Sequence, residues 1–503
     1  MAYQQHHAWY VFPVWGHVTS ANALIANMLQ SNPALVVTYV THSLVGKKIE
    51  ANFAQYPELP LHRLRLLTFG DANIAANVGK NTIAEGIAEV SRHWLSTLEA
   101  ACSADQAWPK PTALILDQNG SLQTLPQAKS IVGPECKTFM YWAGSGARLY
   151  SFLAPSSDGG FSDWEEVVAR FHGDEVLRRG RTEEDIIEQV CTAKNGSDAY
   201  NGTVIKIPGL KEMHDYEREF GEVPVQSGMA SVLRETTSLA RSTDGIISAS
   251  SMTLEGETLL ACQKYAQVYP IGVQVAPRGW SSGLEIQDEE LRSFLERYGS
   301  NEVALISFGS LVFPSNKNTF AALTSTLIRT NQPFILVLGG MFAAHCIDAS
   351  EIPRIRNSGI GFVCDKWVDQ QALLQHPSIG WLIAHGGFNS TVESLVQGVP
   401  LIGWPLARGD NAVNVAMVAT RDRPVAFEVM QIRTGDAKAT ARRGGAEITG
   451  TEESIKREFD DIFAMAKGEE GKLRRENARV LAAELRVERD GRAQDVIDSL
   501  ARI

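Results

Sequence analysis

Short apolar runs alternate with helix-like segments in both halves of the chain, and this alternation restricts the possible folds more than any other feature. The run "AWYVFPV" (8–14) precedes a segment over 18–29 whose apolar residues recur on one helical face, and "ALVVTYV" (34–40) follows. This order is typical of a β-α-β unit, the element of a parallel sheet covered by helices. The sequence therefore predicts an α/β fold with doubly wound sheets.

The same alternation continues along the chain and resumes after a break. Further strands are predicted at 112–117, 137–144, 303–308, 333–338, 361–364, 379–384 and 400–404. Helices are predicted at 318–330 and at 451–467, where Thr451 is the expected N-cap. The section 153–225 is polar and irregular, and it predicts loops with short helices.

A chain of 503 residues is too long for one hydrophobic core. We predict a first domain over 1–268, a linker over 269–290, a second domain over 291–480 and closing helices over 481–503. The linker is expected because this segment contains several Pro and Gly residues, which interrupt helices and strands, and they are followed by an acidic run. In such sheets, ligands bind outside the carboxyl ends of the strands.

Charge and cysteine usage exclude several classes of protein. The net charge of −11 argues against nucleic acid as a partner, because phosphate backbones are bound by clustered Lys and Arg. Six scattered cysteines without a C-x-x-C pair indicate a reducing compartment. No signal peptide and no membrane span are expected, since no apolar run approaches about 18 residues. The predicted location is the cytoplasm.

The stretch "IAHGGFNSTVES" (383–394) begins with the last two residues of the strand predicted at 379–384. Its glycines allow a sharp turn, and the first amides of the helix that follows have no intrahelical partner, so an anion can bind there. His385, Asn389 and Ser390 add side-chain donors. Ser390 and Glu393 also fit a capping box, so these twelve residues alone leave a structural and a phosphate-binding interpretation open.

The longer stretch 367–414 resembles the nucleotide-sugar signature box of the family 1 UDP-dependent glycosyltransferases. The matching residues are Trp367, Gln370, His385, Gly387, Asn389, Ser390, Glu393, Gly398, Val399, Pro400, Trp404, Pro405, Asp410 and Asn411. The sequence departs from the family at Asp369, where proline is usual, and at Phe388, often Trp. It also has one additional residue before Asp410, and Asn411 replaces the frequent glutamine.

The resemblance implies the GT-B fold, in which two Rossmann-like domains face each other across a cleft. The first would bind the acceptor and the second the UDP-sugar, with the closing helices packing back on the first domain. Trp367 would stack on uracil and Glu393 would accept hydrogen bonds from the ribose hydroxyls. The other residues implied in UDP binding are Ser310, Val368, Gln370, His385, Gly387, Asn389 and Ser390. Those implied in sugar binding are Phe388, Asp410 and Asn411, with glucose as the default sugar.

A histidine and an aspartate follow two strands of the first predicted sheet. His17 stands in "VWGHVTS" and Asp117 in "LILDQNG", at the positions of the family's catalytic base and its partner. Histidine suits acid–base work because it titrates near neutrality, and a paired carboxylate fixes its tautomer. His6 and His7, in contrast, are expected to face solvent.

The resemblance implies inverting transfer of a sugar to a hydroxyl group, which gives a β-glycoside from an α-linked donor. The expected acceptor is a small lipophilic alcohol, phenol or carboxylic acid. No cofactor beyond the UDP-sugar co-substrate is expected. No metal is expected either, because the chain contains no D-x-D motif. A monomer or weak homo-oligomer is predicted.

Two other functions are compatible with parts of the sequence. A protein of the same fold could hold a nucleotide sugar without transferring it, although both His17 and Asp117 are present. A nicotinamide-dependent oxidoreductase should carry G-x-G-x-x-G after the first strand, but that position reads "FPVWGHVT". Transfer further requires that His17 and the diphosphate-binding residues open onto a common gap.

Overall fold

A computed structural model describes most of the chain. The described residues are 3–56, 58–70, 83–104, 108–119, 122–187, 203–218, 229–309, 313–339, 343–366, 368–406, 409–433 and 447–503. The chain forms two compact units. The first consists of Met1–Glu165, Ser227–Pro277 and Val487–Ile503, and the second of Glu166–Gln226 and Arg278–Arg486.

The described residues form strands and helices in alternation. The strands are β1 (Gln5–Tyr10), β2 (Leu35–His42), β3 (Leu64–Phe69), β4 (Ala113–Asp117), β5 (Lys137–Trp142), β6 (Val204–Ile205), β7 (Met213–His214), β8 (Gly245–Ser248), β9 (Val268–Pro270), β10 (Val303–Ile306), β11 (Phe334–Val337), β12 (Gly361–Cys364), β13 (Ile379–Ala384), β14 (Leu401–Gly403) and β15 (Ala426–Glu428). The helices are α1 (Trp15–Ser31), α2 (Ser43–Phe53), α3 (Ile83–Ala104), α4 (Leu125–Val132), α5 (Gly146–Leu153), α6 (Trp164–His172), α7 (Glu175–Arg178), α8 (Glu183–Ile186), α9 (Asp215–Arg218), α10 (Met229–Ser242), α11 (Met252–Cys262), α12 (Pro277–Trp280), α13 (Glu289–Leu295), α14 (Lys317–Arg329), α15 (Ala343–Cys346), α16 (Glu351–Asn357), α17 (Gln370–Gln375), α18 (Phe388–Val396), α19 (Asn411–Ala419), α20 (Glu452–Lys467), α21 (Glu469–Glu488) and α22 (Gln494–Leu500).

The first unit is built on a seven-stranded parallel sheet with the order β3-β2-β1-β4-β5-β8-β9. The central strands are buried along almost their whole length, as expected for a parallel sheet covered on both faces. Trp9, Ile25, Tyr39 and Tyr141 belong to one hydrophobic cluster on this sheet. The cluster holds β1 and α1 in fixed positions, and the predicted catalytic residue His17 lies in the first turn of α1.

The second unit contains a six-stranded parallel sheet with the order β12-β11-β10-β13-β14-β15. Its core includes Phe308, Phe320, Phe334, Trp381 and Trp404, all at most 4% exposed. The short strands β6 and β7 form an antiparallel pair in the same unit. The predicted α/β class with two doubly wound, Rossmann-like domains is therefore confirmed.

A buried cluster of charged side chains links the segment Glu166–Gln226 to the rest of the second unit. Arg433 is 1% exposed and lies 2.5 Å from Glu428 and 3.7 Å from Glu217, which belongs to α9. Glu217 also accepts a hydrogen bond from the His214 backbone amide. Because a buried guanidinium must keep its carboxylate partners, this cluster anchors the β6–α9 segment.

The strand at the beginning of the chain differs from its prediction. β1 covers Gln5–Tyr10 rather than 8–14, and it stops before Pro13, which has no amide hydrogen to donate to a ladder. His6 and His7 consequently lie inside the sheet, 2% and 1% exposed, so the expectation that they face solvent is wrong. His6 is held by Thr38 Oγ1 and the Pro109 carbonyl, and burial lowers its pKa to about 4.

The predicted N-cap of the long helix near the end of the second unit is confirmed. Thr451 precedes α20 and accepts a hydrogen bond from the Ser454 amide. Among the residues that the structure describes, no helix combines the length and apolar character needed to cross a membrane.

Candidate active site

Both groups of predicted site residues lie at the switch points of their sheets, where successive connections run to opposite sides. In the first sheet β1 lies between β2 and β4, and in the second β10 lies between β11 and β13. Tyr10 pairs with Leu116 and Ile306 with Ile383, so the carboxyl ends of each neighbouring pair are level. Switch points are where doubly wound sheets bind ligands.

His17 and Asp117 are brought together at the switch point of the first unit. The Nδ1 atom of His17 lies 3.0 and 2.9 Å from the two carboxylate oxygens of Asp117. Asp117 is completely buried, whereas 16% of the His17 side chain is exposed. Backbone amides of Phe12 and Asn119 donate to the same carboxylate at 3.2 and 3.0 Å. The carboxylate is therefore fixed by four contacts and the imidazole reaches the surface of the unit.

This geometry determines the tautomer of His17. A carboxylate only accepts hydrogen bonds, so Nδ1 carries a hydrogen and Nε2 is the basic nitrogen. If Nε2 takes a proton, the adjacent Asp117 stabilises the imidazolium. The pair can therefore act as a general base, as the sequence predicts.

The glycine loop after β13 leads directly into a helix in the second unit. Gly386 has a φ of +82°, and Gly387 is the N-cap of α18, which begins at Phe388. No side chain caps this helix, so Ser390 does not form the capping box that the sequence allowed. The first-turn amides of α18 thus keep the capacity to bind an anion. Asn389 and Ser390 are half-buried in this first turn.

His385 lies tightly packed between two loops at the same switch point. A Cβ at Gly387 would approach its Nε2 to 2.3 Å, and a Cβ at Gly309 would approach its Cε1 to 2.9 Å. Burial lowers the pKa of His385 to about 4, although the charge of Asp410 acts in the opposite direction. The imidazole is therefore neutral at pH 7. Its Nδ1 is buried and has no hydrogen-bond partner among the described residues.

Substituting Gly386 by alanine is expected to destabilise the second unit. The new Cβ would lie 2.5 Å from Val415 and 2.8 Å from the Asn411 carbonyl, in addition to the cost of the positive φ. Gly359→Ala is the matched control, because Gly359 also has a positive φ (+73°) but nothing within 4 Å of its Cβ position. Thermal unfolding should show Gly386→Ala to be less stable than the control by about 1 to 2 kcal/mol. Equal losses in both variants would contradict the packing argument.

Glu393 lies at the end of a three-residue hydrogen-bond chain. The hydroxyl of Ser307 donates to Gln370 Oε1 at 2.7 Å, and Gln370 Nε2 donates to Glu393 Oε2 at 2.8 Å. Burial raises the pKa of Glu393 from 4.5 to about 7, while hydrogen bonds from Gln370 and Gln371 partly oppose this increase. This carboxylate is thus oriented by the side-chain amides of two glutamines.

Asp410 lies at the start of α19, where two amide side chains hold it. Asn411 Nδ2 donates to Oδ1 at 3.0 Å, and Asn414 Nδ2 donates to Oδ2 at 2.8 Å. Asn411 and Asn414 are 4% and 0% exposed. The amide of Asn411, predicted to bind sugar, therefore points to its neighbouring carboxylate.

The remaining predicted residues are placed as follows. Ser310 and Trp367 lie outside the described residues. Phe388 is buried, 4% exposed, at the first position of α18. Val368 is half-buried beside Asp369, which caps α17 by accepting from the Ala372 amide. Aspartate thus substitutes for the family's usual proline at a helix start.

Sequence reasoning missed Ser307 and Asn414. Ser307 belongs to the "SFGS" segment in which only Ser310 was singled out, and it follows the strand that pairs with β13. Asn414 lies four residues after Asp410, one helical turn away, and this spacing places both side chains on one face of a helix. That spacing was the available signal.

The similarity of the sequence to known proteins includes a family-model match that lies in the second unit. Residues 284–442 match the family model "UDP-glucoronosyl and UDP-glucosyl transferase". The chain is 28% identical over 288 residues to UDP-glycosyltransferase eriJ of Hericium erinaceus, an alignment covering 54% of this chain and 56% of that protein. It is 24% identical over 422 residues to UDP-glycosyltransferase 708G2 of Citrus unshiu, covering 80% and 79% of the two chains. The alignment with eriJ thus spans only about half of that relative's length.

The fold extends over the whole chain. Medicago truncatula UGT71G1, solved in complex with UDP-glucose, superposes with a TM-score of 0.70 at 16% identity, covering 99% of this chain and 98% of that one. At this identity the superposition bears on the fold only. Together, the matched family model over 284–442, the curated relatives and the shared GT-B fold show that this chain is similar to the family 1 UDP-glycosyltransferases.

Proposed function

We propose that this protein transfers a sugar from a UDP-sugar to a hydroxyl group of a small lipophilic acceptor, with inversion at the anomeric carbon. The observation that carries the proposal is the His17–Asp117 pair, with Nδ1 2.9 Å from a completely buried carboxylate. A protein that only stores a nucleotide sugar has no need for an oriented base. The match of residues 284–442 to the glycosyltransferase family model supports the same reaction class.

The acceptor is activated by His17. Nε2 removes the hydroxyl proton as the acceptor oxygen attacks the anomeric carbon from the face opposite UDP. The new bond joins the acceptor oxygen to that carbon, and the proton remains on the imidazole. Asp117 stabilises the resulting imidazolium, since its charge lies against Nδ1–H.

The leaving group is stabilised in the second unit. The bond between the anomeric carbon and the β-phosphate oxygen breaks, and its electron pair departs with UDP. The first-turn amides of α18 and the side chains of His385, Asn389 and Ser390 offer donors to this charge. Because these donors are fixed before the reaction, transfer is proposed to need no metal ion, and activity should persist in EDTA.

The donor is recognised through its ribose and its sugar. The Glu393 carboxylate, oriented by Gln370, suits the two ribose hydroxyls, and Trp367 is proposed to stack on uracil. Asp410 is the proposed sugar ligand, with glucose as the donor sugar to test first. The solved relative from Medicago truncatula contains UDP-glucose.

Product analysis tests the reaction. The purified protein is incubated with UDP-glucose or UDP-N-acetylglucosamine and a panel of alcohols, phenols and carboxylic acids, and UDP release and glycosides are measured by mass spectrometry. A β-glycoside formed in step with UDP, its configuration determined by NMR coupling constants, is the expected result. Tight UDP-sugar binding with neither product would instead favour the non-catalytic binding protein.

A further inference from the structure

Resting on the proposed function, we propose that Asn414 is a positioning residue that ties the sugar-binding carboxylate of Asp410 to the diphosphate loop at Gly386. One amide group forms both connections. Asn414 Nδ2 donates to Asp410 Oδ2 at 2.8 Å and to the Gly386 carbonyl at 2.9 Å. Asn414 is completely buried, so it is a support and not a ligand.

The orientation of the amide follows from its partners. A backbone carbonyl and a carboxylate both only accept hydrogen bonds, so the atom between them must be the nitrogen with its two hydrogens. The other end, Oδ1, is buried and has no partner among the described residues. Reversing the amide would set an oxygen against two oxygens, and therefore only one arrangement is stable.

The first connection fixes the loop that faces the diphosphate. Gly386 adopts a φ of +82°, and its carbonyl is held towards α19 by Asn414. Because the C=O and N–H groups of a trans peptide point in opposite directions, the Gly387 amide then points away from the Asn414 side chain, at the N-cap of α18. Without the bond, the Gly386 peptide loses the contact that defines its orientation.

The second connection fixes the carboxylate that faces the sugar. Asn411 donates to Oδ1 and Asn414 to Oδ2, so each oxygen keeps one further acceptor site for a sugar hydroxyl. Asn411 is 4% exposed, so its amide is also buried, and together with Asn414 it orients the Asp410 carboxylate. Sugar recognition and diphosphate recognition are thus joined through one side chain.

A series of three ligands separates this role from simple core packing. UMP, UDP and UDP-glucose are titrated by calorimetry into the full-length protein and its Asn414→Ala and Asn414→Leu variants. Leucine retains most of the side-chain volume, so it separates loss of the donor from formation of a cavity. We expect UMP affinity within about twofold of wild type, UDP about threefold weaker and UDP-glucose about tenfold weaker or more.

The chain supplies a matched control. Asn22 on α1 is also completely buried, donates through Nδ2 to Asn52 at 2.8 Å, and has an Oδ1 without a partner among the described residues. Asn22→Ala should lower the melting temperature without changing the ratio of the three affinities.

Each outcome bears on the proposal. Equal weakening of all three ligands in both Asn414 variants, no weakening at all, or loss of UMP binding in both would overturn it and leave Asn414 a core residue. A wild-type protein that binds none of the three ligands would instead contradict the proposed function.

Discussion

Replacing His17 by alanine is expected to lower kcat for sugar transfer by about a thousandfold or more and to leave UDP affinity within about twofold. The imidazole that Asp117 orients at 2.9 Å is then lost, so the proposed base no longer takes the acceptor proton and the attacking oxygen remains a weak nucleophile. UDP affinity should not change, because the residues proposed to bind UDP belong to the other unit. Initial rates at saturating donor and acceptor, with calorimetry of UDP, measure both effects.

Asp117→Asn tests the tautomer argument separately. An amide nitrogen in place of one carboxylate oxygen can donate to Nδ1, which would leave the hydrogen on Nε2 and remove the base. The expected loss in kcat is about a hundredfold or more. The amide oxygen keeps only one of the two backbone contacts, since Phe12 donates to Oδ2 and Asn119 to Oδ1, so the melting temperature is measured alongside kcat.

The control for both variants is His93→Ala, which removes an exposed histidine of the same unit. Full activity is expected for this variant. A His17→Ala protein that keeps more than a tenth of the wild-type kcat would rule out the proposed base. A parallel loss of UDP binding and melting temperature would indicate misfolding.

The buried strands of both sheets could be predicted because burial on two faces requires continuous apolar runs. β13, which is buried along its whole length, matches its predicted bounds, 379–384, for this reason. The strand β3 was not predicted, since its sequence "LRLLTF" is half-buried and lacks such a run. The strand β9 falls partly inside the predicted linker, where Pro270 and Gly272 gave the stronger local signal.

The candidate catalytic and binding residues could be predicted from the sequence, but the residues that hold them in position could not. The His17–Asp117 contact follows from two strand ends of one sheet, which the strand pattern supplied. The bond from Ser307 to Gln370 joins residues 63 positions apart and depends on the pairing of β10 with β13. Likewise, the anchoring of Glu217 by Arg433 needs a tertiary contact that no local pattern encodes.

The affinity for UDP-glucose is expected to rise with pH through about 7 and then level off, because Glu393 must be ionised to accept the ribose hydrogen bonds. Burial raises the pKa of this carboxyl to about 7 in the free protein, so below that pH binding must first release a proton. The affinity should fall by about tenfold from pH 8 to pH 6, since with a pKa of about 7 the ionised fraction of Glu393 falls from roughly nine-tenths to roughly one-tenth. UDP-glucose is the suitable ligand because its diphosphate is a diester, without the titration that the terminal phosphate of UDP shows in this range.

Glu393→Gln should make this pH profile flat and weaken UDP-glucose binding at pH 8 by about thirtyfold, because a charge-assisted acceptor is lost. Glu458 is the matched control: burial also raises its pKa to about 7, but it accepts from the Met430 and Gln431 amides at 2.8 and 2.9 Å. Both glutamates hold a proton that the unfolded chain releases above pH 4.5, so each lowers stability as the pH rises towards 7. Glu458→Gln should therefore change the pH dependence of the melting temperature and leave that of UDP-glucose affinity intact. A pH profile of affinity that survives Glu393→Gln would assign the titrating group elsewhere and remove Glu393 from the ribose site.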